Sequence, residues 1–107
     1  MTKRYITINN HCGFIWGDTL GLPPKDRSPV EAAFDIDAEN ADLTGLAYQE
    51  RSGQNDGNGC TVYEVPEGST LPLVDNGQDQ DMIELVTSTC KRVACVIAVD
   101  TETGRES

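Results

Sequence analysis

The sequence predicts an α+β fold: a small, mostly antiparallel sheet with two helices on one face, in the order ββαββαβ. Three observations predict it, namely short runs with strand-like alternation, two segments with helical spacing of apolar residues, and Gly-, Asn- and Pro-rich turns between them. The chain has 107 residues, of which 37% are hydrophobic, and this is the size of one domain. We expect a single domain over residues 1–100 and a flexible polar tail over residues 101–107.

The N-terminal segment predicts a β-hairpin. In "YITINN", Ile6 and Ile8 alternate with Tyr5 and Thr7, and "GFIWG" follows after a polar turn. The next stretch, "DTLGLPPKDR", carries two prolines and one glycine and is therefore predicted to be a loop.

Ser28 begins the first predicted helix. Ser28 is a favourable N-cap, Pro29 suits the first helical position, and Glu31 completes a capping box. Helical spacing places one apolar stripe on this segment and predicts an end between residues 40 and 42. The stripe consists of Val30, Ala33, Phe34, Ala38 and Ala41. Asp37 falls on the same stripe, so it either lies at a wet rim or bonds a backbone amide or a cation such as Arg51.

Two strand-like runs follow, and they predict a second hairpin. "LAYQERSG" and "CTVYEV" are joined by a turn whose Asn and Gly residues tolerate positive φ.

The C-terminal third predicts a helix and then a strand. Apolar residues return at helical spacing after Asp79, and either Asp79 or Asp81 would favour the helix N-terminus. The run Thr-Ser-Thr disfavours a long helix. We expect a short helix over residues 80–89 and a buried strand over residues 93–99, the alternative being a third hairpin that turns near residues 91–92.

The charge of the chain is its most unusual property. The formal net charge is −10, from 18 acidic and 8 basic residues. Such a field repels nucleic acid and anionic membranes and favours a basic protein surface as partner. The predicted partner-binding residues are an outward row on the first helix and a second acidic group near the second helix: Glu31, Asp35, Glu39 and Asp42, with Asp75, Asp79 and Asp81. The alternative is that the acidity only keeps the protein soluble.

The sequence contains no specific catalytic or metal-binding motif. The single histidine, His11, adjoins Cys12, and adjacent residues on a strand point to opposite faces, which argues against a nucleophilic dyad. The four cysteines form no CxxC pair and are predicted to be reduced and mostly buried. The turns "DNGQDQD" and "NDGNG" lack the spacing of a calcium loop. We therefore expect a protein without enzymatic activity, cofactor or metal.

The sequence also predicts where the protein is found. No secretory signal is visible, and the longest apolar run, "VACVIAV", is too short to span a bilayer. We expect a cytoplasmic protein without contact to a membrane.

About a third of the chain resembles a known class of proteins. The helix "PVEAAFDIDAEN" is followed by "GLAYQERSGQNDGNGCTVYEV", a strand, a polar turn and a Tyr63-bearing strand. This segment, residues 29–65, resembles small anti-CRISPR proteins of phages and mobile elements that act on type I CRISPR systems. The resemblance implies a non-enzymatic inhibitor in the host cytoplasm that binds the CRISPR surveillance complex and does not bind nucleic acid. Its carboxylates would compete for the Lys and Arg side chains that otherwise bind DNA phosphates.

Two other functions stay open at this stage. The protein could be an accessory or assembly protein of a phage or bacterium whose acidity is only solvation, or a small enzyme. The sequence fixes neither the target nor the oligomeric state.

Overall fold

The computed structural model describes residues 3–10, 13–38, 46–50, 59–74 and 77–100. These residues form a compact α+β fold with a five-stranded antiparallel sheet and two α-helices. The elements are β1 (Tyr5–Asn9), β2 (Ile15–Asp18), a 3₁₀ helix (Thr19–Gly21), α1 (Pro29–Ile36), β3 (Leu46–Glu50), β4 (Gly59–Glu64), α2 (Gln80–Thr89) and β5 (Lys91–Asp100). The α+β class is confirmed and the predicted order is roughly matched, whereas the predicted tail at 101–107 lies outside the described residues.

The order of strands across the sheet is β2-β1-β4-β5-β3. The first predicted hairpin is confirmed, because β1 and β2 pair antiparallel. The second is wrong, because β3 and β4 each pair with β5, which lies between them. With ten residues, β5 is long enough to pair with β4 along its first part and with β3 along its last. Its nearly continuous apolar sequence suits a central strand that is covered on both faces.

The two helices cover opposite faces of the sheet, which corrects the prediction that both lie on one face. Ala32 and Ala33 of α1 pack in a cluster with Tyr5, whereas Val86 of α2 packs in a second cluster with Ile6. Adjacent residues of a strand point to opposite faces. The reason lies in β1, whose residues 5–8 are all buried, so that each face of the strand needs its own cover.

Helix α1 begins as its sequence predicts and ends earlier. The Ser28 hydroxyl oxygen accepts a hydrogen bond from Glu31 N at 3.2 Å and donates one to the Glu31 carboxylate. The helix ends at Ile36 with Asp37 as a buried C-cap, while residues 40–42 lie outside the described residues. Ala33 of the predicted stripe is buried, but Phe34 is 39% exposed.

Helix α1 packs closely on the sheet because small residues face each other there. Ala32 and Ala33 are fully buried against the strands. On β2, a Cβ atom added to Gly17 would lie only 2.6 Å from Cγ2 of Ile36. Phe34, which the sequence predicts on the apolar stripe, is therefore not the main contact of α1 with the sheet. Ala32 and Ala33 make this contact, and their small side chains allow the backbones to approach closely.

Helix α2 has the predicted bounds, 80–89. Oδ1 of Asp79 accepts hydrogen bonds from the backbone N–H groups of Asp81 and Met82, so Asp79 is the N-cap. The hydroxyls of Thr87 and Ser88 donate back to carbonyls of the preceding turn. Strand β5 starts directly after the helix, which confirms helix plus strand and rules out the alternative third hairpin.

Candidate functional site

The structure places the two predicted groups of acidic residues on opposite faces of the sheet. Glu31 and Asp35 lie on α1, and Asp79 and Asp81 lie at the start of α2. Since the helices cover opposite faces of the sheet, these two groups do not form one surface. The remaining predicted residues lie outside the described residues: Glu39, Asp42 and Asp75.

Asp35 is neutralised within the molecule. Its Oδ2 accepts a hydrogen bond from Arg27 Nε at 2.7 Å and pairs with Lys25 Nζ at 3.1 Å. The Arg27 hydrogen bond, assisted by that of Lys25, holds the pKa of Asp35 below its usual range. Residues 28–43, which carry the predicted acidic row, contain no lysine or arginine, but the loop before them supplies Lys25 and Arg27. The prediction that Asp35 is an uncompensated outward carboxylate is therefore wrong.

Acidic side chains remain uncompensated on the side of α2 that faces away from the sheet. We call this surface the α2 outer face and define it by Asp81, Glu84, Leu85, Thr87 and Ser88, which line one shallow depression. Asp81 and Glu84 are exposed, and the ion pairs within the described part of the chain do not include them. Leu85 is 43% exposed, next to Glu84 and one turn after Asp81. The sequence pattern did not single out Glu84 or Leu85 as contacts, although their spacing of three and four residues from Asp81 places them on the same side of a helix.

The cations of the described residues collect at one end of the sheet, which we call the basic end. Lys3 and Arg4 precede β1, Lys91 and Arg92 begin β5, and the register places Glu64 between the starts of these two strands. Lys25 and Arg27 lie near Arg4, because Arg27 and Arg4 line the same cavity.

The α2 outer face extends away from the basic end. Helix α2 ends where β5 begins, at the basic end, and Gly77, just before its N-terminus, is bridged to Ile15 at the far end of β2. The N-terminal carboxylates Asp79 and Asp81 are thus separated from the basic end by about 15 Å, the length of a ten-residue helix.

A buried ion pair holds the basic end together. The guanidinium of Arg4 donates to the Asp18 carboxylate, with a shortest distance of 2.6 Å, and also to the carbonyls of Leu71 and Pro72. Asp18 accepts two further hydrogen bonds, from Leu20 N and Val74 N, and its side chain is 0% exposed. This pair ties the segment between β4 and α2 to the first hairpin. No sequence signal indicated it, because the partners are 14 to 68 residues apart.

The described cysteines are not positioned for nucleophilic chemistry. Cys60, Cys90 and Cys95 are free and buried, as predicted, whereas Cys12 and His11 lie outside the described residues. Burial raises the pKa of Cys60 to about 12 and also raises that of Cys90. A thiol that stays protonated near neutral pH is a poor nucleophile.

The described residues offer neither a metal site nor a membrane-spanning helix. Among residues 3–10, 13–38, 46–50, 59–74 and 77–100, no group of three His, Cys, Asp or Glu side chains is placed to hold a metal ion. None of the helices found there has the length and apolarity that a membrane crossing requires.

No family model, curated protein or solved structure matches this chain. The resemblance of residues 29–65 to anti-CRISPR proteins therefore stays a prediction.

Proposed function

We propose that the protein is a non-enzymatic acidic binding protein, encoded by a phage or mobile element, that occupies a basic, nucleic-acid-binding surface of a host defence complex. A type I CRISPR surveillance complex is the proposed partner. The observation that supports this function best is the α2 outer face, where exposed Asp81 and Glu84 lie beside exposed Leu85 without a cation to pair with them in the described residues.

The rigidity of this surface favours binding. Asp81 and Glu84 stand one turn apart on a helix that is capped by Asp79 and anchored by fully buried Val86. Because the capped and anchored helix fixes the backbone at both carboxylates, binding to a partner's Lys and Arg residues would have to order only their side chains. Leu85 adds an exposed apolar side chain beside the two carboxylates, and its burial against a partner would contribute to binding.

The structure changes the order of the proposed contacts. The α2 outer face comes first, because Asp35 would have to give up Arg27 and Lys25 before it could bind a partner. Glu31 is exposed and bonded only to its own cap within the described residues. Glu39, Asp42 and Asp75 stay within the proposal as predicted contacts.

The test compares two double charge reversals against a purified type I surveillance complex. We expect Asp81→Lys with Glu84→Lys to weaken binding by at least about tenfold, because two favourable charge contacts become repulsive. The matched control is Asp26→Lys with Glu67→Lys, which makes the same change in net charge at exposed positions at the basic end. The control should weaken binding by no more than about threefold, through the long-range field alone.

Circular dichroism would confirm that both variants fold, and DNA competition would show whether the protein and target DNA exclude each other. Equal losses in the two variants would contradict a specific α2 contact. No binding of the wild type would refute this partner.

One observation favours the alternative function, an accessory or assembly protein. Leu20 and Leu73 are 55% and 46% exposed at the basic end, and such side chains can serve in self-association. Light scattering tests this alternative, because a stable dimer that dissociates when Leu20 and Leu73 are replaced by Ser would favour self-association through the basic end.

A further inference from the structure

A small cavity at the basic end is lined by hydrogen-bond donors. Its volume is about 190 Å³, and three cationic side chains and one hydroxyl line it: Lys3, Arg4, Arg27 and Thr19. The other walls are apolar, formed by Leu20, Leu22 and Pro24. No carboxylate is among these lining residues, although the chain as a whole carries a net charge of −10.

Several of these donors lack an acceptor within the described residues. Arg27 makes three side-chain hydrogen bonds, to Asp35, Lys25 O and Pro23 O, while a guanidinium carries five N–H bonds. Arg4 engages four of its five. The Thr19 hydroxyl oxygen accepts from Tyr5 N, which leaves its own O–H to donate. The cavity therefore offers N–H and O–H groups and no acceptor side chain other than this hydroxyl.

The charge balance also favours an anion. The ion pairs around the cavity join four cations to three carboxylates, because Arg27 and Lys25 share Asp35 while Lys3 pairs with Glu64 and Arg4 with Asp18. This group therefore has one positive charge in excess. The Arg27 side chain is only 4% exposed. Because apolar walls exclude water, the attraction between these cations and an anion is stronger than it would be at an open surface.

We propose that this cavity binds a tetrahedral oxyanion, namely phosphate or the phosphate group of a phosphomonoester. A wider cavity of about 440 Å³ shares Lys3, Arg4 and Leu20 with it and is also lined by the carboxylates of Glu64 and Glu67. This space would take the uncharged part of an ester, whose hydroxyl groups can donate hydrogen bonds to those carboxylates. Arginine guanidiniums bind phosphate oxygens through paired N–H groups. The site is independent of the proposed binding function, because the α2 outer face shares no residue with either cavity.

The test is a titration of the full-length protein with inorganic phosphate at constant ionic strength. The NMR signals of the Nε–H groups of Arg4 and Arg27 are direct reporters, since both lie in buried or half-buried side chains. We expect both signals to shift and saturate together, and the melting temperature to rise with phosphate. Glycerol 3-phosphate is the second arm. Tighter binding of the ester would show that the wider cavity takes part, and tighter binding of the free ion would identify inorganic phosphate as the ligand.

Two substitutions with the same change in charge make the test specific. Lys3→Gln removes a cation that lines the cavity, and its 65% exposed side chain is not required for packing. Lys91→Gln removes an exposed cation at the same end that does not line it. We expect roughly fivefold weaker phosphate binding for Lys3→Gln and less than about twofold for Lys91→Gln. Equal weakening by both variants, or no saturable shift in the wild type, would overturn the proposal.

Discussion

Replacing Asp18 by Asn tests the buried ion pair at the basic end. The carboxylate of Asp18 accepts hydrogen bonds from Arg4 and from the backbone N–H groups of Leu20 and Val74, with no exposure to solvent. Asn keeps the shape, but it leaves the Arg4 charge without a counter-ion and turns an NH₂ group toward donors. Breaking a buried pair in this way costs about 3–5 kcal/mol, a large part of the roughly 5–15 kcal/mol that stabilises a domain.

Urea unfolding, followed by circular dichroism and by the fluorescence of half-buried Trp16 on β2, measures this loss. With a typical urea dependence the midpoint should fall by roughly 2 M. Glu64→Gln is the matched control, since it removes the carboxylate of the exposed Lys3–Glu64 pair and should shift the midpoint only slightly. If Asp18→Asn shifts the urea midpoint no more than Glu64→Gln does, the Arg4–Asp18 pair does not hold the segment between β4 and α2 to the first hairpin as inferred.

Two further predictions concern single side chains. Thr7 is 0% exposed, and its hydroxyl has no hydrogen-bond partner among the described residues, so Thr7→Val should raise the free energy of unfolding by about 1 kcal/mol. Thr61→Val, which removes the 2.7 Å hydrogen bond to Asn10, should lower the free energy of unfolding in the same urea assay. A loss of stability in both variants would refute the reasoning. Asp35→Asn should cost roughly 1 kcal/mol near neutral pH. The folded-state pKa of Asp35 lies below its ordinary 3.8. The stabilisation by the Asp35 carboxylate is therefore present above about pH 4 and is lost as the pH falls through the folded-state pKa. If the free energies of unfolding of variant and wild type, plotted against pH, stay parallel at low pH, the prediction is wrong.

Local features of the sequence predicted the local structure. The caps Ser28 and Asp79 and the hairpin of β1 and β2 depend on residues close together in the chain, and they are found as predicted. The end of α1 is different, because its close packing on the sheet and the buried Asp37 cap are tertiary features.

Long-range pairing could not be predicted in the same way. Strands β3 and β4 are separated in the sequence by a short segment that contains Gly and Asn, and nothing local in the two strands shows that β5 inserts between them. One signal was available: "VACVIAV" predicts a strand buried on both faces, and such a strand needs a covering layer on each face. That signal would have placed the two helices on opposite faces.

The candidate sites show the same division. Acidity, helix positions and the lack of catalytic motifs come from the sequence directly. The pairing of Asp35 with Arg27, eight residues before it, and the cluster of cations at the basic end depend on how loops and strand ends meet. The sequence pattern therefore located the charge of the protein, but only the fold shows which carboxylates are uncompensated.

The central position of β5 determines how the chain can fold during synthesis. Strands β3 and β4 leave the ribosome with no partner on the edges that β5 later fills, and residues 91–100 follow only after α2. At a translation rate of about 5–20 residues per second, these edges stay open for seconds. Pairings that span this much sequence also form slowly. The sheet therefore closes only after its last strand has been made, and a chain cut before Lys91 would leave β3 detached from the other three strands.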